Sequence, residues 1–182
     1  MKNLLLASAI LLSLSATAAH AGDKSYTFVE GGYTNIDRDA DGAFLRGNYE
    51  FGKSGVFATG GAARYNLDNT NIDVNAYELG LGYKYSLNDR FDVYAEAVAA
   101  RMDVDFVGNL DGYRAAVGTR FDITPKFEGE VKFNHYNGHD FVSNNTATVG
   151  AQYKFGNSWG IVSSVEFDGG VNTYNLGVRK SF

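Results

Sequence analysis

The chain predicts an all-β fold: a single antiparallel up-and-down transmembrane β-barrel of about ten strands, with eight as the alternative count. Three observations carry this expectation. The N-terminus reads as an export signal, short period-two segments follow one another between turn residues, and the last segment closes on Phe182.

Export is read first. Lys2 precedes an apolar stretch from Leu4 to Leu14, and Ala19-His20-Ala21 supplies small residues around a cleavage point after Ala21. The apolar stretch is shorter than the roughly 20 residues a membrane-spanning helix needs. Residues 1–21 are therefore expected to be a signal peptide for Sec-type export, and residues 22–182 one barrel domain placed in the cell outer membrane. Beyond residue 21 there is no run of 18 apolar residues, and the chain has no cysteine, which excludes helical spans and a disulfide scaffold. With 22 Gly, 12 Tyr, 13 Phe and a single Pro, the composition suits strands and tight turns.

Ten segments follow in order. Ser25 to Asn35 and Gly42 to Phe51 flank an Asp-rich turn, and Gly55 to Leu67 follows a Gly-Lys-Ser-Gly turn. Asp73 to Tyr85 alternates most cleanly, with Tyr77, Leu79, Leu81, Tyr83 and Tyr85 on one face and Glu78, Gly80, Gly82 and Lys84 on the other. Arg90 to Met102 and Gly112 to Ile123 continue the pattern, the latter setting Tyr113, Val117 and Phe121 against Arg114, Arg120 and Asp122. Phe127 to Asn137 follows Pro125, which falls in a turn where its missing N–H costs no ladder bond. Thr146 to Phe155, Ser158 to Phe167 and Asn172 to Phe182 complete the set. Each is near the roughly 9 to 11 residues of a tilted spanning strand.

Alternation alone also fits a water-soluble sandwich. Three further features favour the membrane. The links after even-numbered segments are short, and those after odd-numbered ones are read as longer and acidic, which makes the short side periplasmic. Aromatics flank the short links at Phe51, Phe57, Tyr83, Tyr85, Phe91, Phe121, Phe127, Tyr153, Phe155, Trp159 and Phe182, as an interfacial belt would; a second belt runs through Tyr33, Tyr65, Tyr77, Tyr113, Phe133, Phe167 and Tyr174. The opposite face carries nine acids (Glu30, Glu50, Glu78, Asp92, Glu96, Asp122, Glu128, Glu130, Glu166) and eight bases (Arg46, Arg64, Lys84, Arg114, Arg120, Lys132, Lys154, Arg179), the near-neutral mixture a narrow lumen demands. About ten strands leave an interior largely filled by side chains, whereas open porins use about 16.

The final segment, Tyr174-Asn175-Leu176-Gly177-Val178-Arg179-Lys180-Ser181-Phe182, resembles the C-terminal assembly signal of outer-membrane barrels. Asn175, Gly177 and Phe182 occupy its polar, glycine and terminal aromatic positions, and Lys180 stands where a second aromatic is usual. The resemblance implies the barrel-insertion machinery and periplasmic chaperones as partners. More narrowly, Tyr26 to Tyr33, Asp37 to Gly42, the L-R-G-N-Y-E-F that follows, and Tyr77 to Tyr85 resemble the small outer-membrane proteins of xanthomonads, a group once linked to quorum sensing and immune elicitation. That resemblance covers most of the chain and implies a barrel, not a reaction.

Candidate chemistry is sparse. Asp37, Asp39 and Asp41 before Gly42 match the first half of a calcium loop, but position twelve is Asn48 and not an acid; no cofactor is expected beyond Ca2+ or Mg2+ at acidic loops. His135 in Phe133-Asn134-His135-Tyr136-Asn137 is similar to a lipid A deacylase pattern, yet Asn137 replaces the serine nucleophile. An omptin-like protease would need acids at Asp37 and Asp39 with His139 and Asp140 at the rim, and its D-x-H spacing is missing. Fifteen basic against 21 acidic residues after the signal argue against nucleic acid. Phe106, Val107, Phe141 and Val142 place apolar pairs in polar links as candidate contact residues. The sequence thus favours a monomeric, non-enzymatic barrel with a filled lumen and acidic outer loops. Its roles would be surface interaction, adhesion and biofilm, or envelope integrity, in contact with outer-membrane lipid and lipopolysaccharide. A small-solute channel or transport barrel, or one of the two enzymes, is the alternative.

Overall fold

A computed structural model describes residues 26–37, 39–67, 72–140, 143–156 and 158–182. The signal peptide, its cleavage point, Phe141 and Val142 lie outside the described residues. Ten strands form a closed barrel: β1 Phe28–Ile36, β2 Ala40–Glu50, β3 Val56–Leu67, β4 Asp73–Asn88, β5 Phe91–Val104, β6 Gly108–Thr124, β7 Phe127–Gly138, β8 Asn144–Phe155, β9 Trp159–Asp168 and β10 Val171–Ser181. Each strand pairs antiparallel with its sequence neighbours, and β1 closes on β10 through Phe28↔Ser181 to Ile36↔Thr173. Closure leaves no unpaired sheet edge, the condition for strands to cross a membrane.

The first and last described residues, Tyr26 and Phe182, lie with the connections 51–55, 89–90, 125–126 and 156–158; this end is called inner. The outward face is apolar in the middle, with Leu45, Leu79, Leu81, Val117, Val149, Ile161, Leu176 and Val178 exposed. Rings flank it: Tyr49, Phe51, Tyr83, Tyr85, Phe127, Tyr153, Phe155, Trp159 and Phe182 toward the inner end, and Tyr33, Tyr77, Tyr113, Phe133, Phe167 and Tyr174 toward the outer. In a water-soluble sandwich this apolar face would be the covered one.

Strand β3 corrects the sequence reading. Phe57 and Tyr65 were expected in the two belts, and both are fully buried inside the barrel. Arg64, expected in the lumen, projects outward with 65 % of its side chain exposed and pairs with Asp73 at 2.5 Å. Residues 58–63 are Ala, Thr, Gly, Gly, Ala and Ala, so either parity could face the lipid. The partner strand decides: the Phe57 ring fills the space above Gly82, with its Cζ 2.2 Å from where a Gly82 Cβ would stand.

The outer connections are also shorter than expected. The strands at the outer end are joined over 37–39, 68–72, 105–107, 139–143 and 169–170, two to five residues each, the same range as at the inner end. The acidic stretch Asp103 to Asp111, read as a loop, is largely strand: β5 and β6 stay paired out to Val104↔Gly108. Polar residues there reflect a ladder standing beyond the bilayer rather than a break in it.

Candidate functional site

The lumen is the candidate site, and it is built in layers. Toward the outer end the side facing β1 to β7 packs an apolar plug of Ile36, Ala40, Phe44, Ala63, Tyr65, Val74, Ala76, Ala100, Met102, Leu110 and Tyr136. Toward the inner end, Tyr26, Phe28, Phe57 and Tyr94 form a second cluster, with Tyr26 and Phe57 rings 5.0 Å apart. Lys84 Nζ and the Arg120 guanidinium lie 4.5 and 4.7 Å from the Tyr26 ring, so this plug is held partly by cation–π attraction.

Charged groups occupy the lumen between the plugs and beside the inner one. Arg114, fully buried, donates from NH2 to Glu78 Oε2 (2.9 Å), from Nε to Glu78 Oε1 (3.3 Å) and from NH1 to Glu96 Oε2 (2.9 Å). Arg179 donates from Nε to Glu30 Oε2 (2.7 Å) and from NH1 to Gln152 Oε1 (3.1 Å), while Glu30 Oε1 lies 3.4 Å from Arg46 Nε. Lys154 Nζ bridges Asp122 (3.0 Å) and Glu128 (2.9 Å), and Arg120 NH2 also pairs with Glu128. With Arg64 outside, the expected balance of nine acids to eight bases becomes nine to seven. Every one of those nine acids comes from an alternate strand position on the face opposite the lipid.

Along β7 to β10 the lumen is lined by small polar groups instead. Asn134 Nδ2 donates to Thr146 Oγ1 (3.1 Å), Thr148 Oγ1 (3.2 Å) and Glu166 Oε1 (3.2 Å). Thr146 and Tyr136 hydroxyls also donate to Glu166 Oε1, at 2.5 and 3.3 Å, and Asn175 Nδ2 donates to Ser164 Oγ at 3.3 Å. The sequence reading placed Glu166 and Lys132 on this face but missed the hydroxyl stripe, whose signal is Thr146, Thr148, Ser164 and Thr173 at inward parity.

The sites named from sequence are dispersed. Asp37 has φ 27° and its carboxylate accepts from the Asn172 backbone N–H at 2.5 Å, tying β1 to β10; Asp39 closes the turn through its N–H to Ile36 O (2.7 Å); Asp41 lies within β2. Among the described residues no three His, Asp or Glu side chains gather as a metal would require. His135 Nδ1 sits 2.9 Å from Asn145 Oδ1, on the outer surface. Phe106, 95 % exposed, and Val107, 55 % exposed, cap the β5–β6 hairpin, and Phe106 has φ 66°. Of the C-terminal residues, Asn175 faces the lumen, Phe182 faces lipid, and Gly177 lies against Gly31 O, where a Cβ would stand at 2.7 Å. Lys180 donates to Ser158 Oγ at 2.6 Å and lies 5.1 Å from the Trp159 ring centre.

Comparison with known proteins agrees with this architecture. A family profile described as outer membrane protein beta-barrel domain matches residues 4–155. The fold is similar to that of the KdgM porin (13% identity, TM-score 0.55, 85% of this chain and 99% of that one). It is likewise similar to the KdgM porin in complex with disordered oligogalacturonate (13%, 0.54, 85% and 99%) and to the NanC porin (14%, 0.55, 86% and 100%). At these identities the likeness is one of fold. Comparison with curated proteins returned no match.

Proposed function

Because the chain belongs to the outer membrane protein beta-barrel domain family, we propose that it is a channel-type barrel that its own lumen side chains hold closed. It admits water and small ions when the charged layer around Arg114 rearranges. One observation carries the reading: charged groups are buried in the mid-lumen of a protein that, a few residues further out, fills the same lumen with apolar side chains. Apolar filling is commonly at least as stable as a buried ion pair, so stability alone gives no reason for the charges. The acid excess makes the lumen a poor path for an acidic oligosaccharide such as the oligogalacturonate of the porin complex. In planar bilayers the barrel should show long closed intervals and brief small openings, and Arg114→Ala should lengthen the openings. Silence from both proteins would overturn the reading.

The same reading takes the barrel as a non-enzymatic monomer of the outer membrane, in contact with lipid and lipopolysaccharide and delivered by periplasmic chaperones to the insertion machinery. The absence of a catalytic role is supported by His135, whose partner is the Asn145 amide and not a carboxylate. The narrower kinship with the xanthomonad proteins belongs to this proposal as well, on the segments Tyr26 to Tyr33, Asp37 to Gly42, Leu45 to Phe51 and Tyr77 to Tyr85. A second reading, surface contact, is favoured by Phe106 alone: a large ring, almost wholly exposed, on a backbone conformation unfavourable to it. Replacing Phe106 and Val107 with Ser should reduce adhesion and biofilm formation, and unchanged values would remove that reading.

A further inference from the structure

We infer that the permeant along β7 to β10 is the proton, relayed with water past Glu166, Lys132 and Glu130; the inference rests on the channel reading and specifies what that channel carries. The three side chains are almost completely enclosed, at 1 %, 0 % and 4 % exposure. Each keeps one polar atom without a protein hydrogen-bond partner: Glu166 Oε2, Lys132 Nζ and Glu130 Oε2. An enclosed ammonium and two enclosed carboxylate oxygens left bare would each cost far more than an ordinary lost hydrogen bond, so these atoms define positions for bridging water.

The register lines them up. Lys132 pairs with Thr148, Thr148 with Glu166 and Glu166 with Thr173, so one row crosses four strands through two hydroxyls. The next row inward runs Glu130, Gly150, Ser164, Asn175, and Gly150 leaves room beside the carboxylate, since a Cβ there would stand 3.4 Å from Glu130 Oε2. A cavity of about 10 Å³, enough for the centre of one water, lies next, against Glu130, Glu128, Gln152 and Arg179. From Glu128 the lane continues through Lys154 to Asp122, whose side chain is 19 % exposed at the inner end. At the outer end it begins beside Asp168, which accepts from Asn144 Nδ2 at 2.7 Å.

Other charges face the relay. Glu130 Oε1 accepts from the Tyr94 hydroxyl of β5, and the carboxylate lies in the field of Arg120 from β6 and Arg179 from β10. Glu166 accepts from the Tyr136 hydroxyl and lies in the field of Arg114 and Glu78, and Lys132 lies in the field of Arg114 and Glu96 besides the two relay acids. The apolar plug fills the outer lumen on the side of β1 to β7, which leaves the hydroxyl-lined side along β7 to β10 as the polar path past it. Each relay group hands one proton inward as it takes one from the outer side, so no bond other than O–H and N–H changes and no co-reactant is consumed.

The test uses the full barrel refolded into liposomes holding a pH-sensitive dye, with a pH step imposed and membrane potential clamped by potassium and valinomycin. Wild type should dissipate the step faster than protein-free liposomes, and Glu130→Gln, Glu166→Gln and Lys132→Met should each slow it about tenfold. Thr148→Val, which leaves every charge in place, should also slow it and serves if a charge variant fails to fold. Unchanged flux in all folded variants would overturn the inference. So would wild-type flux equal to that of protein-free liposomes. If bilayer recordings then still show ion openings, the channel reading survives without the relay; if they show none, both fall.

Discussion

Arg114 and Glu78 meet through two roughly parallel hydrogen bonds, at 2.9 and 3.3 Å, in a space closed to solvent. Removing one partner of such a pair leaves an uncompensated buried charge, typically at a cost of about 3–5 kcal/mol. Arg114→Met should therefore lower the urea-unfolding stability of the refolded barrel by roughly that amount. Replacing Arg114, Glu78 and Glu96 together with Met or Leu should recover most of the loss, whereas an equal loss in the triple variant would mean that the charges are not what Arg114 serves.

Phe57 and Gly82 form a matched pair inside the barrel. Phe57→Ala opens a void and should cost about 3–5 kcal/mol, as large-to-small core changes do. Gly82→Ala places a methyl group against the ring and should also destabilise. Combining Gly82→Ala with Phe57→Leu should cost less than the sum of the two single changes, because the smaller side chain yields the space. Strict additivity in a double-mutant cycle would rule out the contact.

The C-terminal strand separates folding from delivery. Gly177→Ala drives a Cβ to 2.7 Å from the Gly31 carbonyl across the closing seam and should lower the temperature at which the heat-modifiable band shifts on a detergent gel. Phe182 is exposed to lipid, so Phe182→Ala should leave that temperature nearly unchanged and slow insertion by the assembly machinery in cells. Lys180→Phe should speed insertion. Equal insertion rates for all three proteins would contradict an assembly role.

Phe106 holds a left-handed backbone conformation that costs non-glycine residues energy, least of all asparagine. Phe106→Asn should raise stability by about 0.5–1 kcal/mol in urea unfolding. A loss instead would show that the ring is held by contacts its exposure hides.

Strand number, order and most facings were legible because most segments carry their charges on one parity and an uncharged run with large apolar side chains on the other. Tyr77 to Tyr85 against Glu78 to Lys84 leaves no choice of face. β3 was illegible because its Ala and Gly positions fit either side, and its facing depended on Gly82 in the next strand, which sequence order does not reveal. The charged lumen was legible as composition, while its pairing was not: Arg114 and Glu78 are 36 residues apart, and only the shear of the barrel sets them at one level. The outer turns were misjudged because Asp103 to Asp111 has the polarity of a loop, and a strand beyond the bilayer obeys no apolar alternation.

No outer connection exceeds five residues. Seen from outside the cell, the protein is therefore a ring of strand ends rather than a canopy of loops. Protease added to intact cells should find few bonds to cut, and antibodies raised against unfolded chain should bind living cells poorly. Variation among related chains at this surface can come from substitution at hairpin tips far more readily than from exchange of loops.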